Sequence, residues 1–216
     1  MRDHRRFLQR EPKDWRGAVL AGNDLTRKYL FDADIRDADL RDTVFERAML
    51  EGARLDGSQL AHASFKNAHM AHTRVRDADL RGADLSHDRD NPYEGATCHY
   101  SDFSRSKLDG ANLGRTPLTY ARFDDASLVD ADMNRATLIA ASMLGAKLGG
   151  ADLRFADLSR ARLEEADLCG ANLSFTNLSG ANLEGARYDD TTIWRGTRYN
   201  QRTRWSDGKR QPAPLR

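Results

Sequence analysis

The side chains best suited to chemistry in this chain stand in close sequence pairs. His69 and His72 are three apart, and His87 and His99 bracket a stretch beginning at Asp88; imidazoles beside a carboxylate are the raw material of a metal site. Solvated histidines outnumber ligands, however, and neither a metal nor a cofactor is expected. The adjacent carboxylates Asp124, Asp125 and Glu164, Glu165 could share general acid and base work. No partner base or nucleophile motif accompanies them, and no nucleotide-binding glycine loop is present. Cys98 and Cys169 lack C-x-x-C spacing, which leaves them reduced and structural. The chain is not expected to be an enzyme.

The elements that carry these residues are bounded by composition. At 216 residues, 39% hydrophobic and 31% charged, the chain suits one soluble domain or two small ones. No run approaches the roughly 20 apolar residues of a membrane span. The opening MRDHRRFLQREPKDW lacks the apolar stretch of a secretory signal, so a cytoplasmic location is expected. The net charge of +1 hides an asymmetry: residues 1–16 contribute +3 and residues 195–216 contribute +6, leaving −8 on the body between them. An acidic body with basic ends argues against a nucleic-acid binder, whose basic residues would gather on the folded surface.

An internal repeat organises that body. Every fifth residue from Leu20 to Leu85 is apolar, and the pattern resumes at Cys98 and runs through Tyr188 to Ile193. Two residues before each centre stands Ala, Ser or Thr, with Asn23 and Lys28 as exceptions. A helix would rotate successive centres by roughly 140° and scatter them around its axis. A flat strand would send them to alternate faces. All centres point inward only if the chain turns a corner in every unit, and units such as AMLEG and ANLEG end in the glycine such corners favour. Phe45 and Phe65, Phe103 and Phe123, Tyr100 and Tyr120, and Phe155 and Phe175 lie four units apart in matching slots. Four units therefore close one coil. At a strand spacing of about 4.8 Å, some eight to nine coils give a rod of roughly 40 Å.

ADLRG, ANLEG, ADLSR and their neighbours resemble the A(D/N)LXX motif of the pentapeptide repeat proteins, over residues 18–195. The resemblance implies an all-β, right-handed quadrilateral β-helix with the central and small residues inside. Residues 1–17, with Phe7, Leu8 and Trp15, are expected to cap the first coil. Residues 196–216 are read as a C-terminal cap or dimer segment with a basic tail. Some members of the resembled family pair their rods through the C-terminal end, so a homodimer is one expectation.

Three surfaces are the candidate contacts. The eight residues 88–95 break the five-residue frame, and a projecting loop of Asp88, Arg89, Asp90, Asn91, Pro92, Tyr93 and Glu94 is either a tolerated insertion or a partner-binding element. Asp124, Asp125, Glu164, Glu165 and Glu184 share one side under the four-unit rule and form either an acidic contact or a solvated face. Phe155, Phe175 and Trp194 fall in outward slots as an apolar strip, continued by Tyr199 and Trp205 towards a cap or dimer contact. The single loop and near-complete repeat content resemble family members that protect DNA gyrase and topoisomerase IV from quinolones and other poisons. By that resemblance the partner is a protein, bound by partial DNA mimicry, with no direct nucleic-acid or membrane contact. A scaffold for a different protein target is the alternative.

Overall fold

Each unit builds one corner and one short extended segment. The computed structural model describes residues 14–87 and 97–206. In a typical unit the carbonyl of the central residue accepts the N–H three residues on, as in Ala156 N–H to Leu153 O at 3.1 Å. The second corner residue takes a positive φ near +60°, with the hydrogen bond of a type II turn. Among the described residues twelve glycines occupy this slot, but so do 21 other residues, Phe155 (φ 61°), Tyr120 (φ 60°) and Arg135 (φ 60°) among them. Left-handed backbone costs an L-residue about 1–2 kcal/mol. The stacked coils above and below hold these corners in place regardless.

Between corners, the segments pair in parallel with those of the next coil. Four ladders run the length of the rod. One begins Asp14, Asp34, Arg54, Arg74; the second Val19, Asp39, Gln59, Asp79; the third Asp24, Val44, Ser64, Asp84; the fourth Tyr29, Met49, His69, Thr97. The step is four units except in the last coil and across the frame break, where His69 pairs with Thr97 and Asp84 with Asn112. The predicted loop 88–95 lies outside the described residues. Its eight extra residues are inserted at one corner, between the third and fourth sides, and the stack continues in register on either side.

The interior holds two columns per side. Leu, Phe, Met and Ile centres from Leu25 to Leu183 are buried, as are the alanines from Ala33 to Ala186 that stand two residues before a centre. Phe45 stacks on Phe65 at 4.8 Å, and Phe103 on Phe123 at 5.1 Å, as their four-unit spacing predicts. Where the small residue is Ser or Thr, its hydroxyl donates to a central-residue carbonyl of the preceding coil. Thr43 bonds Leu20 O at 2.9 Å, Thr116 bonds Leu85 O at 2.8 Å and Thr176 bonds Leu153 O at 2.6 Å. The slot thus accepts Ala or a small hydroxyl for one reason: a buried polar atom is tolerated when paired.

The rod also extends further than the five-residue frame indicates. Asn172 pairs with Ile193 and Asn177 with Arg198, each one position beyond the regular step, and Asn182 pairs with Arg204, two positions beyond it. An extra residue near Asp189–Thr191 moves the frame by one, and another enters near Asn200–Arg202. Trp194, Tyr199 and Trp205 therefore take the central positions and pack against the core. Ile193, the expected last centre, faces outward at 47% exposure.

Candidate interaction surface

The Asp or Asn before each centre does a structural job. Its carboxylate or amide oxygen accepts the backbone N–H two residues on, closing an Asx-type bridge over the corner. Examples are Asp24 to Thr26 N at 2.9 Å, Asn112 to Gly114 N at 3.0 Å and Asp152 to Arg154 N at 3.0 Å. Where Arg follows the centre, the same carboxylate also holds its guanidinium. Asp34 binds Arg36 at 2.7 Å, Asp39 binds Arg41 at 2.8 Å, Asp79 binds Arg81 at 2.6 Å and Asp152 binds Arg154 at 2.5 Å. The Arg81 guanidinium holds the Asp79 carboxyl below the usual carboxylate range, and burial opposes it only in part. Part of the formal negative charge of the body is thus neutralised within the unit that carries it.

The acidic column is one side of the rod, as expected, but it is a paired side. Asp124, Glu164 and Glu184 lie in one column, with Leu144 between the first two. Asp124 meets Arg122 Nη2 at 2.9 Å and accepts from Ser142 Oγ at 2.5 Å. Burial alone would raise its carboxyl; the Ser142 and Arg122 donors outweigh it and leave the group below its ordinary value. Glu164 accepts from Asn182 Nδ2 at 3.0 Å and pairs with Arg162 at 3.5 Å, and Glu184 pairs with Arg204 at 3.7 Å. Asp125 and Glu165 occupy the exposed positive-φ corners beside them.

The apolar strip reduces to two residues. Phe155 and Phe175 stack at 5.1 Å with 45% and 40% exposure. Arg135 lies over the Phe155 ring at 4.7 Å and Arg195 over Phe175 at 5.8 Å, contacts of the cation–π type. Trp194 does not continue the strip, because the one-residue shift turns it inward. It meets Tyr188 and Trp205 edge-on at 5.2 Å and 5.8 Å, and Tyr199 meets Trp205 at 5.2 Å. Gly196 ends the Phe column; a Cβ there would stand 2.5 Å from the Phe175 ring.

A second exposed ladder escapes sequence reasoning in part. Tyr100 and Tyr120 stack at 5.0 Å, as their spacing predicts, and His72 extends the stack at 5.1 Å. The insertion falls between His72 and Tyr100, so counting by fives does not bring the two together. Around the stack, no outward slot of the fourth side from His69 to Ala140 holds Asp, Glu, Lys or Arg among the described residues. His69, His72 and His99 belong to this uncharged side. Among the described residues no group of three His, Cys, Asp or Glu could hold a metal ion. Burial pushes the Cys98 thiol up to about 12 and, with Asp167 and Asp189 nearby, Cys169 up to about 11, so neither is a nucleophile at neutral pH. A shallow trough is lined by Ile139, Ser159, Arg160, Ser179, Gly180, Asn200 and Arg202. No helix of the described residues is long and apolar enough to cross a membrane.

Comparison with known proteins agrees with this architecture. QnrB1, described as a plasmid-mediated fluoroquinolone resistance protein, superposes in a trypsin-treated form with a TM-score of 0.70 at 16% identity, over 85% of this chain and 90% of its own. Full-length QnrB1 gives 0.69 at 15% identity, over 85% and 92%. At such identity the likeness speaks to the fold alone, a right-handed β-helix. No curated protein sequence matches the chain. The family description "Pentapeptide repeats" matches in eight copies across residues 29–67, 58–87, 118–154 and 146–185. The repeat, its four-sided stacking and this match together place the chain in the pentapeptide repeat family.

Proposed function

We propose that this protein is a non-catalytic rod that binds DNA gyrase or topoisomerase IV and protects it from topoisomerase poisons. The observation that supports the reading is the shared β-helix, matched over 85% of the chain, with a protein described as conferring fluoroquinolone resistance. Outward aromatic ladders and the absence of a deep cleft among the described residues fit binding by surface rather than catalysis. The DNA mimicry is partial: duplex DNA carries one charge per ~1.7 Å of axis, whereas the acids here alternate with arginines that neutralise them. Loop 88–95, with Tyr93 near its centre, and the Tyr100–Tyr120 ladder are the contacts that distinguish one target from another. The protein acts in the cytoplasm beside its target, and its C-terminal end pairs two copies.

A scaffold for a different protein target is the second reading, favoured by the uncharged fourth side, which offers a DNA-binding cleft nothing to recognise. Supercoiling by purified gyrase in the presence of ciprofloxacin separates the two. Restored supercoiling as the protein is raised to micromolar concentration is expected; neither rescue nor inhibition removes the topoisomerase reading. Tyr93→Ala, or deletion of 88–95, should abolish rescue while the circular dichroism of the rod is kept.

A further inference from the structure

We propose that Arg160 and Arg202 form a binding site for a phosphate group at the C-terminal end of the rod. The two arginines belong to alternate coils on the same corner, and the coil between them presents Gly180. A Cβ built on Gly180 would stand 3.7 Å from Arg160 Cγ and 3.9 Å from Arg202 Cβ. The bare glycine is thus the floor of the trough, and the two arginine stems are its walls. A side chain at 180 would stand between the two arginine stems.

Positive charge at this corner is left uncompensated. Arg36, Arg41, Arg81 and Arg154 are each held by the Asp of their own unit, but Arg160 and Arg202 make no ion pair among the described residues. The carboxylate of Arg160's own unit, Asp157, already accepts from Asn177 Nδ2 at 3.1 Å. Residues 191–206 contain four arginines and no Asp or Glu. Ser159 and Ser179 line the trough with hydroxyls that bond nothing among the described residues, and Asn200 adds an amide. Two guanidinium groups on stems either side of Gly180, with serine hydroxyls lining the same trough, are donors suited to a tetrahedral oxyanion, and arginine stays charged at any relevant pH. The trough is open, so the phosphate is either free or carried on a larger molecule.

The test uses the full chain and inorganic phosphate, followed by amide NMR shifts at constant ionic strength with chloride as control. Saturable shifts at Ser179 and Gly180 are expected, weakened at least tenfold in Arg160→Gln and in Arg202→Gln. Both side chains are exposed, so the fold survives either change. Arg187→Gln, which removes an arginine paired with Asp167 at 3.5 Å on another side, should leave binding intact. Phosphoserine in a parallel titration separates the sources: tighter binding than phosphate points to a carried phosphate, equal binding to the free anion. Absence of saturation, shifts reproduced by chloride, or binding unchanged in both arginine variants would overturn the site.

Discussion

Asp152 closes its corner by accepting Arg154 N–H at 3.0 Å and also holds the Arg154 side chain. The two roles separate by substitution. Asp152→Asn keeps the acceptor and loses only a surface ion pair, worth about 0–1 kcal/mol. Asp152→Ala loses both and strands a corner N–H, a cap-like loss of about 1 kcal/mol more. Urea denaturation should rank wild type, Asn and Ala in that order; an Asn variant as unstable as the Ala one would remove the corner role. The same carboxylates set the response to acid. The Arg16 side chain holds Asp14 down to about 2, and Arg36 and Arg81 depress Asp34 and Asp79. A depressed folded value means the unfolded chain binds protons first, so this stability is complete above the ordinary carboxylate value near ~4 and drains towards about pH 2. Thermal melts between pH 6 and 2 should therefore show the midpoint falling only below about pH 4. Gly196→Ala tests steric fit: its Cβ meets a Phe175 ring already stacked on Phe155, at φ +73°. The expected cost is about 1–2 kcal/mol, and Phe175→Ala in the same chain should recover part of it.

Elements show where sequence suffices and where it fails. The five-residue frame and the small slot give the inward columns, because each is fixed by local chemistry: Leu148 and Leu158 are fully buried. Leu148→Ala should cost about 2–5 kcal/mol by cavity formation. Leu148→Asp should prevent folding, since an unpaired charge would enter a dry interior, and the loss of cooperative melting measures it. The corners are less legible. Glycine marks only some of them, and Phe155 or Tyr100 at positive φ contradicts residue preference; the coils above and below impose that conformation. The last coil is the clearest failure. Ile193 and Trp194 are adjacent and both apolar, and counting by fives selects Ile193. Packing selects Trp194, whose ring meets Tyr188 and Trp205, contacts that exist only once the chain has closed. For the candidate surface, the acidic column is legible as a column, but its neutralising partners, Arg122, Arg162 and Arg204, sit in other slots or coils.

At the scale of the whole molecule, the rod has four sides of different character. Paired Asp and Arg recur on the first, the third carries Arg135 above the phenylalanine strip, and the fourth is uncharged over its middle. A partner bound through the fourth side would associate with little dependence on salt, whereas one bound by DNA-like charge would weaken steeply between about 50 and 200 mM. The salt dependence of the target complex therefore reports which side is used. The four ladders carry a different consequence. Their hydrogen bonds lie along the rod axis, and the described chain enters at Asp14 in one end coil and leaves through Arg204 in the other. Pulled by its two ends, such a molecule does not shear: it peels one coil at a time. Each event frees about 20 residues, or roughly 70 Å of contour, and the force record should be a regular sawtooth with one longer tooth where the insertion lies.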